Sequence, residues 1–157
     1  MYKSYLIPWL LMASFTIHST AQAQSEATSI KNISARDGFK VELLYTVPKE
    51  KLGSWVNLCV DDKNRIIASD QFGGLYRFPA PETGKNLDQS KIEKIPADIR
   101  AANGLLWAFD ALYVAVNDYE KKMESGIYKL TDSNGDDQLD KVEKLRGMQA
   151  RGDHGVH

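Results

Sequence analysis

The residues best suited to chemistry fall in two runs near the C-terminal end of this 157-residue chain. The first is Asp132-Ser133-Asn134-Gly135-Asp136-Asp137-Gln138-Leu139-Asp140-Lys141-Val142-Glu143. It sets oxygen donors at alternate places: Asp132, Asn134, Asp136, Asp140 and Glu143, with Gln138 where a backbone carbonyl commonly serves. Ca²⁺ takes six to eight hard oxygen ligands, and alternate residues of a tight loop can aim carboxylates at one centre. The spacing therefore predicts a calcium loop. Asp137 departs from the pattern, because the sixth place of such a loop ordinarily takes glycine. Asp is among the residues that enter the left-handed region most readily. Strand-like residues precede the loop, so the reading is a calcium loop between strands rather than a helix-flanked one. The alternative is a polar Asp/Asn/Gly-rich hairpin turn that binds nothing.

The second run is Arg151-Gly152-Asp153-His154-Gly155-Val156-His157. Imidazole acts near neutral pH as general base, metal ligand or plain hydrogen-bonding group. Two histidines three apart in a loop need not share a face, so spacing alone does not choose between a functional pair and a solvated one.

The elements that must carry these runs read as short strands. Gly74-Leu75-Tyr76-Arg77-Phe78 recurs fifty-two residues on as Gly126-Ile127-Tyr128-Lys129-Leu130, each time after an apolar strand that ends in an acidic residue. A period near fifty marks one supersecondary unit stacked beside its copies. We expect an entry strand at Phe39–Tyr45, then strands at Val56–Val60, Arg65–Ser69 and Leu75–Phe78, with an outer strand at Lys91–Ile95. A helical turn is expected over Asp98–Asn103. The cycle restarts with Gly104–Phe109 and Leu112–Val116, joined at Asp110-Ala111, then Gly126–Leu130 and an outer strand at Leu139–Leu145. The second unit inserts Tyr119–Glu124 where the first has Gln71–Gly73, a longer loop with room for function. Dense turn signals and no long 3.6-residue period argue all-β. The expected architecture is a β-propeller, six-bladed in an intact protein, with this chain supplying about the first two blades. A β-sandwich is the alternative that the repeat disfavours. A chain of two blades exposes an unpaired edge and an apolar face, so alone it is expected to fold poorly or to be inactive.

Residues 1–23 read as a secretory signal peptide: Lys3, a mostly apolar Tyr5–Ile17, and the small-x-small site Ala21-Gln22-Ala23. The apolar run is too short and too interrupted for a membrane span, so no span is expected after cleavage and the location is periplasmic or secreted. Residues 24–36 form a polar tether, and 37–157 the fold. Removing the signal takes one lysine from 20 basic residues and none from 21 acidic ones, leaving a net charge of 19 − 21 = −2, which gives no footing for nucleic acid. Cys59, the one cysteine, lies in the apolar run Val56–Val60, and burial is the simplest reason for an unpaired thiol in an oxidising compartment.

Taken together, Asp37-Gly38-Phe39, the stretch Asp70–Arg77, Gly126–Leu130 leading into Asp132-x-Asn134-x-Asp136, and the closing Gly152–His157 resemble the N-terminal part of the bacterial "putative membrane-bound dehydrogenase" propellers. That family is similar to soluble quinoprotein glucose and sorbosone dehydrogenases, six-bladed propellers that hold pyrroloquinoline quinone and use a histidine base. The resemblance implies oxidation of a sugar or alcohol, with His154 as base and His157 and Arg151 on the cofactor side. It also implies a c-type haem domain or partner as electron acceptor. No Cys-x-x-Cys-His occurs in the chain, so covalent haem would belong elsewhere. The competing functional reading is a non-catalytic propeller that binds a glycan or a protein at the same mouth.

Overall fold

The computed structural model describes residues 28–149. The signal segment, the first four residues of the tether, and the run Arg151, His154 and His157 lie outside the described residues. The chain forms two antiparallel four-stranded sheets, each a meander in which every strand pairs with the next. The first holds β1 (Trp55–Val60), β2 (Arg65–Asp70), β3 (Leu75–Pro79) and β4 (Glu93–Lys94). The second holds β5 (Ala102–Ala108), β6 (Ala111–Val116), β7 (Gly126–Thr131) and β8 (Lys141–Gly147).

The strand expectations hold within a residue or two, apart from the outer strands. β4 keeps only Glu93 and Lys94, because Gln89–Lys91 winds into a 3-10 turn. β8 starts at Lys141, two residues after Leu139. Three expectations need correction. Phe39–Tyr45 is not a strand: it gains no ladder, and its bonds are scattered, from the Phe39 amide to the Arg36 carbonyl, the Leu87 amide to the Leu44 carbonyl and the Gly84 amide to Glu42. Its apolar residues serve packing instead, with Tyr45 against Trp55 at 6.0 Å between ring centroids. Asp98–Asn103 has no helical turn, since Ala101 adopts φ +49° and the next residue already starts β5. The β5–β6 turn is Phe109-Asp110, both at positive φ (+50° and +53°), closing the Ala108–Ala111 pair. That is the two-residue hairpin whose twist matches its strands. A short helix, α1 (Lys49–Leu52), was not foreseen; it ends at Gly53, φ +71°.

The two sheets share more than strand order. Cys59, Ile67, Arg77 and Glu93 form one cross-strand row in the first. Leu106, Tyr113, Lys129 and Glu143 form the same row in the second. The neighbouring rows also match: Leu58, Ala68, Tyr76 and Lys94 against Leu105, Val114, Tyr128 and Lys144. Glu93-Lys94 thus repeats as Glu143-Lys144.

Side chains alternate across each strand, so every sheet has two faces. One face of the first sheet packs on one face of the second around Ile67, Leu75, Ile95, Leu112, Val114, Val116 and Leu130, all 2% exposed or less. A smaller cluster of Ala68, Phe78 and Leu87, with Tyr45 and Trp55, lies on the other side of the first sheet. Trp55 stacks on Phe78 at 5.3 Å and Tyr45 lies against Trp55, so the segment before α1 covers part of that face.

Candidate functional site

The register places the connecting loops at two ends. The β1–β2, β5–β6 and β7–β8 connections gather at one end, and the β2–β3 and β6–β7 loops at the other. The acidic loop belongs to the first end. The β2–β3 loop, the inserted Tyr119–Glu124 and the last described residues, Met148 and Gln149, belong to the second.

In the acidic loop the carboxylates organise backbone. Asp132 accepts the amides of Asn134 and Gly135 on Oδ1 (3.0 and 2.7 Å) and that of Asp137 on Oδ2 (2.7 Å). Partial burial pushes the Asp132 pKa up, and these backbone donors overcome it, leaving the group below the usual carboxylate range. Asp136 accepts from the Gln138 amide and the Asn134 side chain, and Asp140 accepts both the amide and the hydroxyl of Ser133. Glu143 stands apart on β8, opposite Lys129. Among the described residues no three His, Cys, Asp or Glu side chains are drawn together as an ion cage. The donor chemistry is nonetheless that of a hard cation: each carboxylate keeps lone pairs beyond the bonds it accepts.

Asp137 takes the sixth place at φ +69°, as the sequence requires of a non-glycine there. Its side chain leaves the loop and bridges to the first sheet. Arg65 donates two guanidinium bonds to it, 2.5 and 2.9 Å, Lys63 lies 2.8 Å away, and Arg77 approaches to 3.6 Å. The Arg65 bonds, foremost, hold the Asp137 carboxyl far below its usual range. Arg65 also donates to Asp61 through Nε at 2.7 Å, and the Asp61 side chain is fully buried. Sequence reading saw Asp137 only as a defect in a calcium loop. Its cross-sheet role had no local signal, because its partners lie about seventy residues earlier.

At the opposite end two aspartates order the two hairpin loops. Asp70 accepts the Ser54 amide at 2.9 Å and sits between Gly53 and Gly73, where an added Cβ would meet its carboxylate at about 2.1 Å. Asp118, 5% exposed, accepts the amides of Glu120, Lys122 and Met123 (3.1, 3.1 and 2.8 Å). Arg100 lies 3.3 Å from Asp118 and 2.5 Å from Glu120. The loops meet through Phe72 and Tyr119, rings edge to face at 5.9 Å, yet 43% and 57% exposed. Beside them an open cleft of about 580 Å³ is lined by Tyr119, Lys121, Lys122, Met123, Glu124 and Met148 among others. Its lining mixes the ammonium groups of Lys121 and Lys122 with the carboxylates of Asp118 and Glu124, an aromatic face and two thioethers, and Lys122 is already paired with Glu120 at 3.0 Å.

Cys59 faces the packed sheets and is half-buried. Burial, with Asp61 nearby, pushes its thiol up to about 11, against a weaker opposing bond from the Trp107 backbone. It is a protonated, structural thiol at neutral pH. No protein-family model, curated protein or solved structure matches the chain.

Proposed function

We propose that the chain is part of an exported, dehydrogenase-like β-propeller that oxidises a sugar or alcohol. The observation that carries the reading is the residue-for-residue repeat of cross-strand rows between two stacked four-stranded meanders, the construction a propeller multiplies. Among the described residues no helix is long and apolar enough to cross a membrane.

In this proposal His154 is the base that takes the substrate hydroxyl proton, and Arg151 and His157 sit on the cofactor side. Pyrroloquinoline quinone, when bound, supplies the two-electron acceptor, and a c-type haem domain or partner receives the electrons. The described residues contribute the cleft beside Tyr119, where Lys121 and the tyrosine ring are the groups offered to the cofactor. Asp118 and Asp70 hold the flanking loops in place. Ca²⁺ is assigned to the other end, with Asp132, Asn134, Asp136 and Asp140 as side-chain donors and Gln138 through its carbonyl. Glu143 is the donor least well placed, lying on β8 across the ladder from Lys129. The ion's role there is structural.

Isothermal titration of the metal-stripped exported protein with the quinone, with and without Ca²⁺, tests both parts. The expected result is saturable quinone binding that weakens at least tenfold, about 1.4 kcal/mol, in His154→Ala. No heat from the quinone removes the dehydrogenase reading, and no heat from Ca²⁺ removes the ion. A second reading, a non-catalytic module for a glycan, is favoured by the exposed Phe72–Tyr119 pair at the loop end. It predicts retention on immobilised glycan that Tyr119→Ala abolishes and His154→Ala leaves intact.

A further inference from the structure

We propose that Asn134 is a modification site: in the folded protein its side-chain amide closes onto the Gly135 nitrogen and is converted, through a succinimide, to aspartate or isoaspartate. The inference rests on the geometry of one loop and depends on neither the catalytic nor the calcium reading.

The chain holds two Asn-Gly pairs, Asn103-Gly104 and Asn134-Gly135. Glycine after asparagine favours this reaction, because no Cβ hinders the approach of its nitrogen to the side-chain Cγ. The two pairs lie in opposite surroundings. Asn103 and Gly104 belong to β5, where Gly104 stands opposite Ala115, so the ladder resists the backbone rotation that ring closure requires. The Asn103 amide is itself held, donating to the Ala101 carbonyl at 3.1 Å. Asn134 and Gly135 are exposed and belong to no strand, and Gly135 sits at φ +85° with open space where a Cβ would be.

The loop's hydrogen bonds already stand where the reaction needs them. The Asp136 amide donates to Asn134 Oδ1 at 3.0 Å, the oxygen on which negative charge gathers as Cγ is attacked, and a backbone donor there acts as an oxyanion hole does. Asp132 Oδ1 accepts the Gly135 N–H at 2.7 Å, and that proton must leave for the nitrogen to attack. Asp136 Oδ2 lies 3.2 Å from Asn134 Nδ2, the nitrogen that departs. The bond from the Gly135 nitrogen to Cγ forms, the Cγ–Nδ2 bond breaks, and the amide NH₂ takes up the Gly135 proton and leaves as ammonia. Water then opens the ring at either carbonyl, giving aspartate or isoaspartate with no change in oxidation state. Aspartate sets a new carboxylate between Asp132 and Asp136. Isoaspartate lengthens the backbone shortly before Asp137, whose carboxyl ties the loop to Arg65. The loop thus gains negative charge with age, at the end where Asp137 joins the two sheets.

The test holds the purified exported protein, freed of metal, in mildly alkaline buffer with and without urea and follows each Asn-Gly pair by peptide mass spectrometry. The mass gain of an amide turned to acid is expected at Asn134 in the folded protein, with an isoaspartate signal, at a rate within a few-fold of that in urea. At Asn103 the folded protein is expected to react at least about a hundredfold more slowly than in urea, since the ladder must open first. The urea sample shows that both pairs are chemically competent, so folding alone accounts for the difference. Asn134 shielded by folding as strongly as Asn103 overturns the proposal. So does an Asn103 that converts in the folded protein as fast as Asn134.

Discussion

Arg65 joins two carboxylates of unequal burial, and the inequality sets what each is worth. The Asp61 side chain is fully buried and also accepts the amides of Lys63 and Arg65, whereas that of Asp137 is 40% exposed. Removing the guanidinium strands a buried anion, and breaking a buried pair from one side costs about 3 kcal/mol. Arg65→Met should therefore lower stability by about that amount in urea unfolding. Asp137→Asn removes a partly solvated partner and should cost about 1 kcal/mol or less. The sign with pH follows from the depressed Asp137 pKa. Its contribution is complete above the unfolded carboxylate value, about 3.9, and is lost as pH falls through the folded value, which lies far lower. Acid unfolding of the wild type should thus include a loss below about pH 4 that Asp137→Asn lacks; equal acid slopes in the two would contradict the bridge. Cys59 gives a second expectation at this scale. With its thiol pushed up to about 11, alkylation by iodoacetamide in the folded protein should be slow at neutral pH and should rise to the free-thiol rate on denaturation.

At the scale of the element, the close contacts of β7 and β8 decide what the ladder tolerates. A Cβ at Gly126 would lie 2.2 Å from the Arg146 carbonyl oxygen, backbone against backbone, at the point where the register shifts. Gly126→Ala should therefore force the first pairs of that ladder apart and cost about 2 kcal/mol, with amide exchange fastest at Arg146 and Gly147. Exchange unchanged there would contradict the contact. This glycine opens the motif that revealed the repeat, and the reason the repeat showed only in part is geometric. The third strands are fifty-two residues apart, but the matched rows place Cys59 against Leu106 and Ile67 against Tyr113, at separations of 47 and 46. The inserted β6–β7 loop shifts the spacing, so no single period aligns all four strands. Strands with alternating burial were legible because periodicity follows from the pleat. Phe39–Tyr45 alternated equally well and is not a strand, because a ladder partner is a tertiary fact. The calcium spacing was legible as a turn rich in carboxylates; that Asp137 serves the neighbouring sheet was not.

For the whole molecule, the shared core implies that neither sheet is an independent unit. Residues from both sheets form one cluster, in which Ile67, Leu75, Leu112, Val114 and Leu130 are fully buried. The Asp137 bridge and the bond from the Ala101 amide to the Gly73 carbonyl tie the sheets at both ends. A lone sheet leaves one of its apolar faces in water, which a two-layer arrangement avoids. Leu130 lies on the second sheet, so its truncation separates the two possibilities. Leu130→Ala should cost about 3 kcal/mol through the lost side chain and the cavity it leaves. If the sheets unfold together, protection of the β2 amides, such as Ile67 and Ala68, should fall by the same free energy as that of Val114 on β6. Loss confined to the second sheet would mean that the first stands alone, its second cluster around Phe78 and Trp55 sufficing. The burial pattern argues otherwise, because that cluster holds only three buried residues and is closed by half-buried aromatics.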